Sequence, residues 1–128
     1  VKWISKRQKT VVTSTYGSEL VGSRIATDLA VEYRYALRML GIDVDGAAKM
    51  VGDNKSVIVN TTMPSLQLKK KHNAVAYHRV REAIAAQIIH FFHMPSASNS
   101  AEIITKPLAS SGFYKLVKPL LFRTPKWT

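Results

Sequence analysis

The sequence predicts an α/β fold whose strands are joined by helical crossovers, and three features predict it. Apolar residues recur every fourth position at Val21, Ile25, Leu29, Tyr33 and Leu37, the pattern of one long amphipathic helix over 18–40. Two short apolar runs, 47–52 and 88–94, are bounded by turn residues or proline and read as strands. A second helical stretch, about 73–87, lies between them and supplies the crossover.

Taken in order, residues 3–12 alternate loosely and carry Trp, Ile, Thr and Val, as a strand would. Thr13, Ser14 and Thr15 are candidate N-caps for the long helix, and Ala26, Ala30, Ala36 and Leu40 flank its stripe. Gly41 closes it, because glycine accepts the left-handed conformation that ends a helix. Residues 43–46 form a turn, and the strand 47–52 stops at the acidic loop Gly52-Asp53-Asn54. A short helix over 55–60 is broken before Pro64. Lys69-Lys70-Lys71-His72 leads into the second long helix, with Tyr77, Ile84 and Ile88 on one face. The aromatic, β-branched strand 88–94 ends at Pro95, followed by a polar loop over 96–100. Residues 101–106 open a short helix and 113–122 form a last apolar helical segment, part of a helical tail over 109–128. Neither an internal repeat nor a low-complexity linker interrupts the chain.

A chain of 128 residues is one domain's worth or less, and its 46% apolar content suits a packed core. No stretch approaches the roughly 20 apolar residues of a membrane span, so no membrane partner is expected. The absence of cysteine excludes disulfides, thiolate metal sites and thiol catalysis. The start lacks the layout of a signal peptide and reads as a cut through a longer reading frame. Lys and Arg number 19 against 8 Asp and Glu, a net +11 that favours a polyanionic partner such as nucleic acid. A generally cationic surface without chemistry would share that balance.

Acids are scarce, and three stand where chemistry wants them. Glu19 opens the long helix, Asp53 follows the end of a strand, and Glu102 starts the helix after the last strand. Carboxylates converging from such places hold Mg²⁺ or Mn²⁺, and two such ions about 4 Å apart promote phosphodiester cleavage. The macrodipole accounts equally for acids in a helix's first turn, and Asp-Asn after a strand is ordinary turn chemistry.

The surrounding residues carry a resemblance. Trp3-Ile4-Ser5-Lys6-Arg7-Gln8, followed by Ser14-Thr15-Tyr16-Gly17-Ser18-Glu19, resembles the W-x-S-K-K-Q … S-T-x-E-A-E segment of copia-type retrotransposon ribonuclease H domains. Gly52-Asp53-Asn54-Lys55-Ser56 resembles their C-D-N-Q-S, and Lys71-His72 with Tyr77-His78-Arg79-Val80-Arg81-Glu82 is similar to their K-H-I-D-I-R-Y-H-x-x-R-E. Asn99-Ser100-Ala101-Glu102-Ile103-Ile104-Thr105-Lys106-Pro107-Leu108 resembles N-x-A-D-x-L-T-K-P-L. The motifs keep the family's order and cover nearly the whole chain.

The resemblance implies a ribonuclease H-like mixed sheet with flanking helices, spanning 1–128 as a partial domain without its first two strands. It implies metal-dependent hydrolysis of RNA in RNA–DNA hybrids during reverse transcription, with Mg²⁺ or Mn²⁺ as cofactor. Glu19, Asp53 and Glu102 take the positions of family carboxylates as catalytic and metal-binding residues. Implied partners are the hybrid and the reverse transcriptase domain of the same polyprotein, inside the cell in a virus-like particle or the nucleus. A non-catalytic, basic nucleic-acid-binding remnant is the alternative.

Three departures qualify the match. The family's first aspartate, on an opening strand before the W-x-S-K-K-Q segment, has no counterpart, which predicts turnover slowed about a hundredfold or more. Glu102 replaces aspartate and sets its carboxylate about 1.5 Å further out. Gly17 replaces a frequent glutamate and Asn73-Ala74 replaces Ile-Asp, both tolerable changes.

Lys69, Lys70, Lys71, Arg79 and Arg81 are the candidate nucleic-acid contacts, although a lysine run is often only a solvated helix start. The histidines do not pair at zinc-ligand spacing: His72 and His78 miss a common helix face, and His90 and His93 fall on opposite strand faces. Tyr33, Tyr35, Phe91 and Phe92 read as core or edge packing. Without the opening strands, the sheet of this fold keeps unpaired edges and an exposed apolar face. The 128-residue chain alone is therefore predicted to be marginal in stability or prone to aggregate; a cooperative thermal transition of a monomer would refute this.

Overall fold

Ser14 starts the long helix. Its backbone is extended and its hydroxyl accepts from the Gly17 amide at 3.3 Å, so α1 runs Thr15–Met39. Gly41, with φ of +72°, ends it in the left-handed region. β1 (Ala48–Gly52) follows, then α2 (Lys55–Thr62), α3 (Ala74–Ala85) and β2 (Ile89–His93). A 3₁₀ turn at Ser96–Ser98 lies in the expected polar loop, and α4 (Glu102–Thr105), α5 (Ser110–Val117) and a 3₁₀ turn at Lys118–Leu120 complete the order. The computed structural model describes residues 4, 7, 8, 14–63 and 73–121. The expected strand 3–12 falls outside them except at Ile4, Arg7 and Gln8.

The chain divides into two compact units, Gln8–His93 and a second drawn from Val1–Arg7 with Met94–Thr128. In the first, β1 and β2 pair in parallel, with Met50 opposite Phe91 and Gly52 opposite His93. Ile89 and Phe91 are buried on the inner face, and Ala48 and Met50 pack against the same core. The helices close over that face: Leu20 of α1, Val57 and Ile58 of α2, and Ala76, Tyr77, Val80 and Ala83 of α3 form one cluster with the strands. Gly52 is required by its neighbour, because a Cβ there would sit 2.9 Å from Cε2 of Phe91. Buried hydroxyls are satisfied within their helices: Thr27 donates to Ser23 O at 2.8 Å, and Thr61 to Val57 O at 2.8 Å. Across elements, Asn60 Nδ2 of α2 donates to the Tyr16 hydroxyl of α1 at 3.3 Å. In the second unit, α4 packs on α5, Leu116 is buried, and Ser100 Oγ donates to Leu116 O at 3.3 Å.

This is the mixed α/β class that the sequence predicts, and it is consistent with a ribonuclease H-like fold. The expected apolar stripe of α1 is corrected. Val21 packs against the core as expected, but Tyr33 and Leu37 at the far end of the stripe are exposed, as is Tyr35, and the core line runs through Tyr16, Leu20, Thr27 and Ala30. With 3.6 residues per turn, a strict every-fourth series rotates about 40° per step and winds off the packed face, whereas a seven-residue step nearly closes two turns. Phe91 packs as expected.

These burials predict that Leu20→Ala, at a fully buried position, lowers unfolding free energy by about 2–5 kcal/mol. Leu40→Ala, 74% exposed, changes it by less than about 0.5 kcal/mol. Urea denaturation ranks the two, and the reverse ranking would refute this core.

Candidate metal and nucleic-acid site

Both parallel strands of the larger unit end at one edge, and the candidate site forms there. Asp53 follows the last residue of β1 and precedes Asn54, the N-cap of α2. The Asn54 side chain accepts from the amides of Ser56 at 3.1 Å and Val57 at 3.4 Å, which fixes the turn carrying Asp53. Glu19 stands on α1 one residue before the fully buried Leu20, so the packing of Leu20 sets the rotation at which Glu19 is presented. At the head of that helix, Gln8 Nε2 donates to Ser18 O at 2.8 Å.

Glu19 and Asp53 line one open cavity of about 380 Å³, together with Thr15, Asn54, Lys55, Ser56 and His93. α1 begins at Thr15, and its first turn holds no acid, so Glu19 lies beyond the turn where the macrodipole favours carboxylates. The electrostatic explanation that the sequence left open is weaker for Glu19 than it looked. For Glu102 it stands: this residue occupies the first turn of α4 and forms a 2.7 Å ion pair with Lys106. Glu102 belongs to the smaller unit, Glu19 and Asp53 to the larger. Among the described residues, no group of three or more His, Asp or Glu side chains is gathered to hold a metal ion.

The donors present suit a hard cation. Mg²⁺ usually takes one or two protein carboxylates and fills its octahedron with water and phosphate oxygens. Glu19 and Asp53 are such a pair, and Lys55 adds a cation to the lining of the same cavity. His93 was missed in the sequence, where histidines were weighed only against one another. Its signal was topological: it ends β2, opposite Gly52, and a parallel partner of β1 must finish beside Asp53.

The candidate nucleic-acid arginines have other engagements. Arg79 Nε pairs with Asp28 at 2.8 Å and Nη1 with Glu82 at 3.7 Å, while Asp28 also receives Arg24 at 3.3 Å. Asp28 thereby ties α1 to α3. The hydrogen bond to Asp28 holds the Arg79 guanidinium above its ordinary range against the desolvation that opposes it, and the carboxylate charges of Asp28 and Glu82 add to the effect. Arg81 donates to the Tyr77 hydroxyl and lies 5.1 Å from the centre of that ring. Lys69, Lys70 and Lys71 lie outside the described residues.

Comparison with known proteins places this geometry in context. Over 116 residues, 88% of the chain, it is 27% identical to the Retrovirus-related Pol polyprotein from transposon RE1 of Arabidopsis thaliana. It is 27% identical over the same length to the Pol polyprotein from transposon RE2 of that plant. The likeness supports a segment of a retrotransposon Pol polyprotein. The chain spans 8% of the length of each of these relatives. No family model matches the chain, and no solved structure does. Among the described residues, no helix is long and apolar enough to cross a membrane.

The cap that positions Asp53 has a measurable value. Asn54→Ala is expected to lower unfolding free energy by about 1 kcal/mol, with Asn54→Asp retaining most of it. Equal urea midpoints for the alanine variant and the parent would show that the cap does not hold this turn.

Proposed function

We propose that this chain is a segment of a copia-type ribonuclease H domain, in which Glu19 and Asp53 hold a divalent metal at the end of a parallel strand pair. One observation carries the reading: two carboxylates far apart in sequence, on α1 and after β1, line one cavity. Similarity to retrotransposon Pol polyproteins along 88% of the chain supports it. Mg²⁺ or Mn²⁺, when bound, supplies activation of water and neutralisation of charge at a phosphodiester. Glu19 and Asp53 bind it, Lys55 receives a phosphate oxygen, and His93 offers a proton donor or acceptor at the same cavity. Glu102 keeps the position of a family carboxylate by resemblance, and its side chain is paired with Lys106. The substrate is the RNA strand of an RNA–DNA hybrid, met through backbone and groove shape without sequence preference. The family's first aspartate has no match among these 128 residues, so these residues by themselves are expected to show no turnover.

A second reading is a basic remnant that binds nucleic acid without cutting it. The net charge of +11 favours it, as does the absence of a three-donor group among the described residues.

Electron paramagnetic resonance titration with Mn²⁺ separates the two. Under the first reading the chain binds Mn²⁺, and Glu19→Gln or Asp53→Asn weakens binding at least about tenfold. Equal Mn²⁺ affinity in parent and variants, with hybrid binding retained, would establish the remnant instead.

A further inference from the structure

The positive charge of this chain is unevenly placed. Residues 8–93 hold 11 of the 19 Lys and Arg and 7 of the 8 acids, leaving 8 cations (19 − 11) and one acid (8 − 7) for the smaller unit. That one acid is Glu102, already paired with Lys106. Lys115 and Lys118 therefore have no further carboxylate side chain within their own unit to pair with.

The helix bearing them exposes aromatic rings. Leu116 is buried, whereas Phe113 is 41% and Tyr114 69% exposed, their rings edge to face with centroids 5.9 Å apart. Tyr114 and Lys118 are four residues apart and Lys115 and Lys118 three apart, so ring and cations share a side across α5 and the turn after it. Rings beside cations on one surface are what unpaired bases and their phosphates recognise together.

We propose that α5 and the 3₁₀ turn after it form a contact for single-stranded nucleic acid, in which bases stack on Phe113 and Tyr114 and phosphates meet Lys115 and Lys118. The occupant is a single strand because the bases of a duplex are already stacked on one another and offer the rings no free face. A lipid surface fits less well: an eight-residue helix is only about 12 Å long, and its one buried side chain, Leu116, faces inward. The contact uses neither Glu19 nor Asp53, so the proposal survives or falls without them.

Fluorescence anisotropy of a labelled 15-nucleotide oligo(dT), on the full chain with EDTA, tests this surface without any metal. The parent binds, and its log affinity falls with log salt. Lys115→Gln/Lys118→Gln reduces that slope by about 1.4, at roughly 0.7 for each phosphate no longer neutralised. Phe113→Ala/Tyr114→Ala weakens binding at least about fivefold without moving the slope. Arg38→Gln/Lys49→Gln, an equal reduction of charge in the larger unit, leaves affinity within about twofold. Circular dichroism confirms that each variant keeps the parent's helix content. Equal weakening in the two charge variants would reduce the effect to net charge and overturn the proposal. Unchanged binding without the rings, equal affinity for duplex, or binding to phosphatidylserine vesicles but not to oligo(dT) would each overturn it as well.

Discussion

Parallel pairing of β1 with β2 is the constraint from which the rest of the larger unit follows. Two parallel strands cannot be joined by a tight turn, so the chain must travel from the end of one back to the start of the next. α2 and α3 lie on that return path, and their apolar faces bury Phe91 and Ile89 on one side of the sheet. The same geometry sends both strand ends to one edge. Asp53 and His93 become neighbours there, although the whole crossover separates them in sequence.

α1 is bound to this frame at two levels. Leu20 and Tyr16 join the core near its start, and Asp28 meets Arg79 of α3 further along. The ion pair has side chains 32% and 44% exposed, so its energy is a few tenths of a kcal/mol to about 1, well below the hydrophobic contribution of Leu20. Its larger effect is on register: Asp28 accepts from both Arg24 and Arg79, which favours one rotation of α1 over its neighbours. That rotation is also the one that brings Glu19 to the cavity with Asp53. Packing and placement of the carboxylate are thus one fact.

Much of this was legible in the sequence because it is local. Ser14 as a cap, Gly41 as a stop, the two strands, and Asp53 at a strand end all follow from short-range rules and are observed as expected. What could not be read was which face of α1 is buried, since an every-fourth series looks like a stripe on paper and spirals in space. Nor could the sequence show that Arg79 is engaged by Asp28, or that His93 shares a cavity with Glu19, because those meetings depend on helix rotation and strand direction. The motif resemblance singled out Glu19 and Asp53 before any geometry did, and the geometry supplies the proximity that no spacing along the chain could.

The distribution of charge follows a different logic in each unit. In the larger unit, described arginines such as Arg24 and Arg79 meet carboxylates, so part of that unit's positive charge serves the fold. In the smaller unit almost no acid is present to absorb the cations, and fold stability gives no reason for such an imbalance, since like charges on a small unit repel one another. A surface that bears that repulsion, and exposes Phe113 and Tyr114 beside it, is more economically explained by a polyanion that relieves both. Charge read as a single net figure conceals this division; read by unit, it separates cations that hold the fold from cations left to meet a partner.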